Sequence, residues 1–323
     1  MRLFLSVLII LVLTLALQDP PKRVLANLEE AKDRKELAVT FDDLPLNGRQ
    51  FEAERLKAMT TKIVASIKKH NIPAVGFVNE SQLYRFGEID QRIAILKIWS
   101  DSGLELGNHT FSHMSLNVTP LETYKEDTIR GETITQMLLA QSGKKIRYFR
   151  HPYLRTGATV DIKDDFEKFL RQRSYTVAPV TIENSDWMYN LVYTTAKTRG
   201  DSETMKETTK QYLNHTEAMF DFFEKLSVEL TGYQIKHIFL LHSNELNADN
   251  LDSVVDLIKR RGYNFISLEE ALKDKVYTLP NTYAGKAGPS WIHRWMHTKG
   301  MEVKLKQEPE PSEMIQKMYE KEL

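Results

Sequence analysis

The chain has 323 residues, with 44 Lys and Arg balanced by 44 Asp and Glu, and no cysteine. This length can bury a large core as one big α/β domain or two smaller ones, and one domain is the preferred reading. Balanced charge offers no field to recruit nucleic acid or an anionic membrane, and without thiols there are no disulfides, cysteine nucleophiles or Cys-based metal sites, so any metal must be held by histidine and carboxylate.

Arg2 precedes an apolar run from Leu3 to Leu17, broken only by Ser6 and Thr14, and Gln18-Asp19-Pro20-Pro21-Lys22 then turns polar and helix-breaking. The run is shorter than the roughly 20 residues of a spanning helix, so residues 1–18 read as a signal peptide with Ala16 at the small position before cleavage. A secreted or periplasmic location is expected, with membrane attachment only through this segment if it is retained. Residues 19–35 read as a linker, 36–275 as the main domain and 276–323 as a C-terminal extension.

Within the main domain, short apolar runs alternate with longer helical patterns, the mark of successive βα units and a largely parallel sheet. Leu37–Phe41 reads as the first strand. A helix over 52–69 follows, with Leu56, Met59, Ile63 and Ile67 at helical spacing. Next come a strand over 74–78, a helix over 89–99 and a short strand over 104–107. One long helix is expected from Pro120 to Gln141, with Thr119 as N-cap. Then follow a strand over 146–149, a helix over 161–173, a strand over 175–178, a long helix over 201–230, a strand over 237–242, a helix over 250–261 and a strand over 264–267. About seven βα units result.

Four strand exits carry chemistry-bearing side chains: Asp42 and Asp43, His109 and His113, Arg150 and Tyr153, and His242. Parallel β/α sheets and barrels gather catalytic groups at the carboxyl ends of their strands, so these positions can converge. Strand alternation sends Asp42 and Asp43 to opposite faces, which suggests two different roles. A four-residue spacing puts His109 and His113 on one face if they share a helical turn, as two ligands of one metal require. His151, His70, His215 and His237 read as loop, solvated or packed residues. His293 and His297, flanked by Trp291 and Trp295, read as packing of the extension, with a sugar-binding rim as the alternative.

Together these segments resemble the polysaccharide deacetylase (NodB homology) family, carbohydrate esterase family four, over residues 37–272. Thr40-Phe41-Asp42-Asp43 stands for its first motif, His109-Thr110-Phe111-Ser112-His113 for the second, Arg150-His151-Pro152-Tyr153 for the third and Leu240-Leu241-His242 for the fifth. The fourth appears as Glu183-Asn184-Ser185-Asp186-Trp187, with Glu in the leading place. A further departure is Leu154, where the family commonly has Gly; it is expected to alter the loop, since Leu enters positive φ less freely.

The resemblance implies a distorted, incompletely closed (β/α)7-type barrel. It also implies that Asp43, His109 and His113 hold a divalent metal, usually zinc, with cobalt, nickel or manganese also admitted by such ligands. Asp42 would be the general base, with Arg150 pairing to it and lowering its pKa. The Tyr153 amide would stabilise the oxyanion, His242 would be the general acid held and charged by Asp186, and Trp187 and Leu240 would receive the acetyl methyl. The expected activity is removal of N-acetyl, less often O-acetyl, groups from a glycan. Hydrolysis of another amide or cyclic imide and non-catalytic glycan binding stand as alternatives. The particular glycan and the oligomeric state stay open.

Overall fold

The computed structural model describes residues 35–48 and 51–322, so the expected signal peptide and nearly all of the linker lie outside the described residues. Lys35–Leu44 form strand β1, buried from Leu37 onward, as a strand covered on both faces must be. It runs parallel to β6 (His237–His242) in a register from Leu37 opposite His237 to Asp42 opposite His242. On its other edge β1 pairs with β2 (Val75–Val78), β2 with β3 (Glu105–Asn108), β3 with β4 (Tyr148–Phe149) and β4 with β5 (Thr176–Val177), all parallel. β7 (Tyr263–Phe265) pairs with the first residues of β1.

This register aligns the carboxyl ends: Leu44 pairs with Val78, Val78 with Asn108 and Asn108 with Phe149. Asp43, His109 and Arg150 therefore leave neighbouring strands at one level. Beyond β5 the chain continues to Ile182, which bridges to Phe239 on β6. One continuous segment thus touches both ends of the strand row and curls the sheet into the expected distorted, incompletely closed (β/α)7 barrel.

Helices α1 (Ala53–Lys69), α2 (Ile89–Asp101), α3 (Leu121–Arg130), α4 (Thr133–Ala140), α5 (Val160–Gln172), α6 (Asp186–Arg199), α7 (Ser202–Thr231), α8 (Glu245–Arg260) and α9 (Leu268–Ala271) flank the sheet. On α1 the predicted stripe Leu56, Met59, Ile63 and Ile67 is buried, each side chain contributing about 1.5–3 kcal/mol. Among the described residues no helix is long and apolar enough to cross a membrane. Residues 276–322 lie against the same body. α10 (Trp291–Thr298) docks through the Trp291 N–H on the Val180 carbonyl at 2.8 Å, and Ser290 Oγ donates to the Thr181 carbonyl at 2.9 Å. α11 (Glu313–Glu322) buries Ile315 and sets Tyr319 edge-on to Trp187.

Three element expectations are corrected. The expected helix over 120–141 is two helices, broken at Gly131-Glu132. Its last carbonyls turn to the neighbouring loop there: Asp127 O accepts from Phe111 N at 3.0 Å besides the Gly131 amide at 3.2 Å, and Thr128 O accepts from Asn108 Nδ2 at 2.8 Å. Buried Glu80 takes the amides of Ile134 and Thr135 at 3.1 and 2.6 Å, so the break leaves these donors satisfied. Secondly, α6 was not anticipated, because its polar residues and wide buried face obscure the helical period. Lastly, α8 begins at Glu245 and not Asn250, with Asn244 capping the Asn247 amide at 2.8 Å.

Gly131 permits this arrangement by close approach: a Cβ there would lie 2.8 Å from the Thr110 carbonyl carbon and 2.9 Å from Phe111 N. Gly131→Ala should therefore lower unfolding free energy by about 1–3 kcal/mol, as overpacking does, and weaken divalent-cation binding by shifting the 109–113 loop. Urea unfolding with and without cation checks this; an unchanged midpoint contradicts it.

Candidate metal centre and active site

The Asp pair sits where β1 loses its regularity. The pairing with β2 shifts between Phe41 and Leu44, and Asp43 takes φ 61, a left-handed conformation that Asp adopts more readily than most non-glycine residues. The bulge cancels the alternation that would send the two carboxylates to opposite faces. Both Asp42 and Asp43 line one cavity of about 500 Å³, which corrects the opposite-face reading.

Asp43 Oδ2 accepts from Asn47 Nδ2 at 2.6 Å, while its buried Oδ1 has no hydrogen-bond partner among the described residues. That oxygen lies 3.2 Å from His113 Nε2 and 3.5 Å from His109 Nε2. His109 is buried, and its Nδ1 lies 2.8 Å from the Arg150 carbonyl, which assigns the proton to Nδ1 and leaves the Nε2 lone pair toward Asp43. The two histidines do not share a helical turn. Thr110 and His113 take φ 64 and 57, and Asn79, Asn108 and Asp127 fasten the loop through His109 O, Thr110 N and Ser112. Convergence comes from this fastened loop, not from helical spacing.

Burial holds the His109 and His113 imidazoles below their ordinary range, hence neutral. Burial pushes the Asp43 carboxyl up, but the positive charge that His113, His109 and His242 carry when protonated, with the Asn47 donor, outweighs it and holds the group below its ordinary range.

Fully buried Arg150 reaches Asp42 Oδ2 through Nη1 at 3.4 Å and Thr40 Oγ1 through Nη2 at 3.0 Å, with its guanidinium over the Phe77 ring. The expected lowering of the Asp42 pKa does not prevail. Burial is the larger effect, and with the charges of Asp43 and Asp186 it pushes Asp42 up to about 6 against Arg150 and His242.

Opposite the Asp pair, His242 Nδ1 lies 2.6 Å from Asp186 Oδ1, and its amide donates to Asp186 Oδ2 at 2.8 Å. Asn244 and Asn247 donate to the same oxygen at 3.1 and 2.5 Å, so α6 begins on a carboxylate held from three sides. Burial alone would lower the His242 pKa, but the charge and hydrogen bond of Asp186, with Asp43 and Asp42 adding, push it up to about 10. Tyr153 takes φ 57 and ψ 15, and Leu154 takes φ 53. Leu154 thus adopts the positive φ that a leucine enters less freely than glycine, and the loop is held in it.

Tyr153, Trp187, Leu240 and His242 line the cavity with Asp42, Asp43, His109 and His113, while Arg150 and Asp186 stand behind Asp42 and His242. Every predicted site residue is brought together. A wider depression of about 600 Å³ along α7, by Met205 and Leu213, is remote from this cluster. His151 and His293 are buried, the latter beside Phe222 and Phe223.

Residues 29–173 match the family model described as polysaccharide deacetylase. Over this span, somewhat under half of its length, the chain is similar to that family. The chain is similar to a peptidoglycan-N-acetylglucosamine deacetylase of Bacillus cereus, 27% identical over 155 residues, which is 48% of this chain and about half, 47%, of that protein's length. A peptidoglycan-N-acetylmuramic acid deacetylase of Bacillus subtilis is 21% identical over 248 residues, 76% of this chain and 75% of its own. Among solved structures, a CE4 family pseudoenzyme of Bacillus anthracis matches at 16% identity and TM-score 0.48, covering 75% of this chain and 66% of that one.

The donor set fits a divalent cation: one atom each from Asp43, His109 and His113 lie within 4.8 Å of one another. Two neutral imidazoles and a carboxylate with an unpartnered buried oxygen match a three-ligand catalytic site with an open position. Several cavity residues were missed by sequence reasoning. Asn47, Gly288, Pro289, Ser290, Glu308 and Tyr319 also line it, and all but Asn47 come from the extension. Burial, with the charge of Glu183 across the wall, pushes Glu308 up to about 8. Only the aromatic texture of residues 277–295 hinted at packing there.

Calorimetric titration should find one divalent cation bound per chain. His109→Ala should weaken it at least ~100-fold through loss of a direct ligand, whereas Asp42→Asn should retain it. Loss in Asp42→Asn with retention in His109→Ala reverses the two roles.

Proposed function

We propose that this domain hydrolyses the N-acetyl amide of an acetylated glycan, with the cell-wall glycan named for its relatives as the first substrate class, releasing acetate and a free amine. The observation that carries the reading is the enclosure of Asp43, His109 and His113 in one cavity with Asp42 on one side and the His242–Asp186 pair on the other. The apolar Leu3–Leu17 run favours delivery to such glycans outside the cytoplasm.

A divalent cation held by Asp43, His109 and His113 would polarise the amide carbonyl and acidify water. The chain supplies the remaining steps. Asp42, oriented by Arg150, takes the proton of the attacking water. The Tyr153 amide donates to the oxygen that becomes negative in the tetrahedral intermediate. His242, protonated at neutral pH, gives its Nε2 proton to the departing nitrogen, which leaves as a neutral amine as the C–N bond breaks. Leu240 and Trp187 offer an apolar wall for the acetyl methyl. O-acetyl substrates need the acid less, because an alkoxide leaves more readily than an amide anion.

N-acetylglucosamine oligomers should release acetate, chelation should abolish release, and zinc should restore it. A folded, cation-loaded protein that releases acetate from no acetylated glycan overturns the proposal. The pH profile tests the acid separately. Because Asp186 raises His242, the protonated form persists until pH climbs toward about 10, and activity falls above that. Asp186→Asn should move the alkaline limb down by at least ~1 pH unit and cut kcat on the order of 100-fold, the usual weight of a general acid. An unmoved limb removes His242 from the acid role.

A further inference from the structure

Two consecutive non-glycine residues in the left-handed region are costly and persist only where their surroundings hold them. Tyr153 and Leu154 are such a pair, at the cavity wall. What holds them comes from the C-terminal segment. Gly288 lies directly on the loop: a Cβ at this position would sit 2.0 Å from the Tyr153 carbonyl oxygen and 2.9 Å from the Leu154 carbonyl carbon. No larger residue fits without moving the loop backbone.

Arg294, fully buried on α10, supplies the second hold. Its Nη2 donates to the Leu154 carbonyl, its Nη1 to Thr156 Oγ1 at 2.8 Å, and its Nε to the Pro289 carbonyl at 2.9 Å. One planar guanidinium therefore ties the loop to the residue that follows Gly288, a geometry that a lysine ammonium cannot reproduce. The group stacks near the Trp291 ring at 4.3 Å and the Tyr283 ring at 5.0 Å, which excludes water from these bonds. At the far end of the loop, Asn117 accepts from Gly157 N at 3.0 Å and donates to the Gly285 carbonyl at 2.6 Å.

We propose that Gly288 and Arg294 are positioning residues: the C-terminal segment clamps the carbonyls of Tyr153 and Leu154 and thereby fixes the Tyr153 amide that stabilises the oxyanion. The clamp rests on the deacetylase reading above. It makes the segment part of the catalytic apparatus rather than a cover for the barrel, because a displaced amide weakens binding of the transition state more than of the ground state.

The test uses the full cation-loaded chain with Arg294→Met, Arg294→Lys, Gly288→Ala and the milder Thr156→Val, which deletes one acceptor of Arg294. Arg294→Met and Gly288→Ala should lower kcat by ~10–100-fold, part of the 10²–10³ that removing an oxyanion donor costs, with KM within about 2-fold. Arg294→Lys should recover part of the loss, and Thr156→Val should cost ~2–5-fold. Affinity for a tetrahedral phosphonamidate analogue should fall by the same factor as kcat/KM, while cation affinity holds. In cation-free protein, hydrogen exchange over residues 152–157 should quicken in each variant. Folded variants with unchanged kcat, or with KM raised and kcat intact, overturn the clamp. If Arg294→Met does not fold, Thr156→Val and Gly288→Ala decide by the same readouts. Failure of the deacetylase reading is distinct: the unsubstituted chain would then release no acetate, whereas failure of the clamp leaves it active and the exchange rates unmoved.

Discussion

A dislocation in β1 is the constraint on which the site depends. Were the strand regular through Leu44, its period of two would bury one carboxylate of Asp42-Asp43 behind the sheet. The left-handed Asp43 and the shifted register bring both to one cavity. The neighbouring strands then need only end at the same level, and the ladder from Leu44 through Val78 and Asn108 to Phe149 ensures that they do. β6 completes the arrangement by setting His242 opposite Asp42.

Bringing so many charged groups out of water is expensive, and the structure answers with partners at each one. Arg150 stands against Asp42, Asn47 donates to Asp43, and two asparagines with the His242 amide surround Asp186. Three carboxylates face one guanidinium and one imidazolium, leaving a net negative charge beside two neutral imidazoles. A divalent cation would balance such a set, and among the described residues the buried Oδ1 atoms of Asp42 and Asp43 have no hydrogen-bond partner.

Strain is concentrated in the same region. Asp43, Thr110, His113, Tyr153 and Leu154 all take positive φ, and each lies on a segment fixed from outside: by Asn47, by Asn108 with Asp127, or by the C-terminal segment. Gly131 and Gly288 serve alike, as points where another backbone comes too close for a Cβ. The barrel places the functional groups approximately, and these outer contacts set their final orientation.

Much of this was legible in the sequence. Apolar runs of strand length alternating with helical periods specify a parallel β/α architecture by themselves, and strand exits carrying Asp42, Asp43, His109, His113, Arg150 and His242 identify the face where chemistry gathers. These are local properties of residue type and spacing. The orientation of the Asp pair, the break at Gly131, the net rise of the Asp42 pKa and the wall built by Gly288, Glu308 and Tyr319 were not legible. Each depends on atoms distant along the chain: a bulge is stabilised by its partner strand, burial is a property of the assembled body, and Gly288 meets Tyr153 only once α10 has docked. The sequence by itself determined which groups are present and on which strand ends; only the tertiary structure decided where they point and how strongly each holds its proton, because direction and desolvation arise from packing.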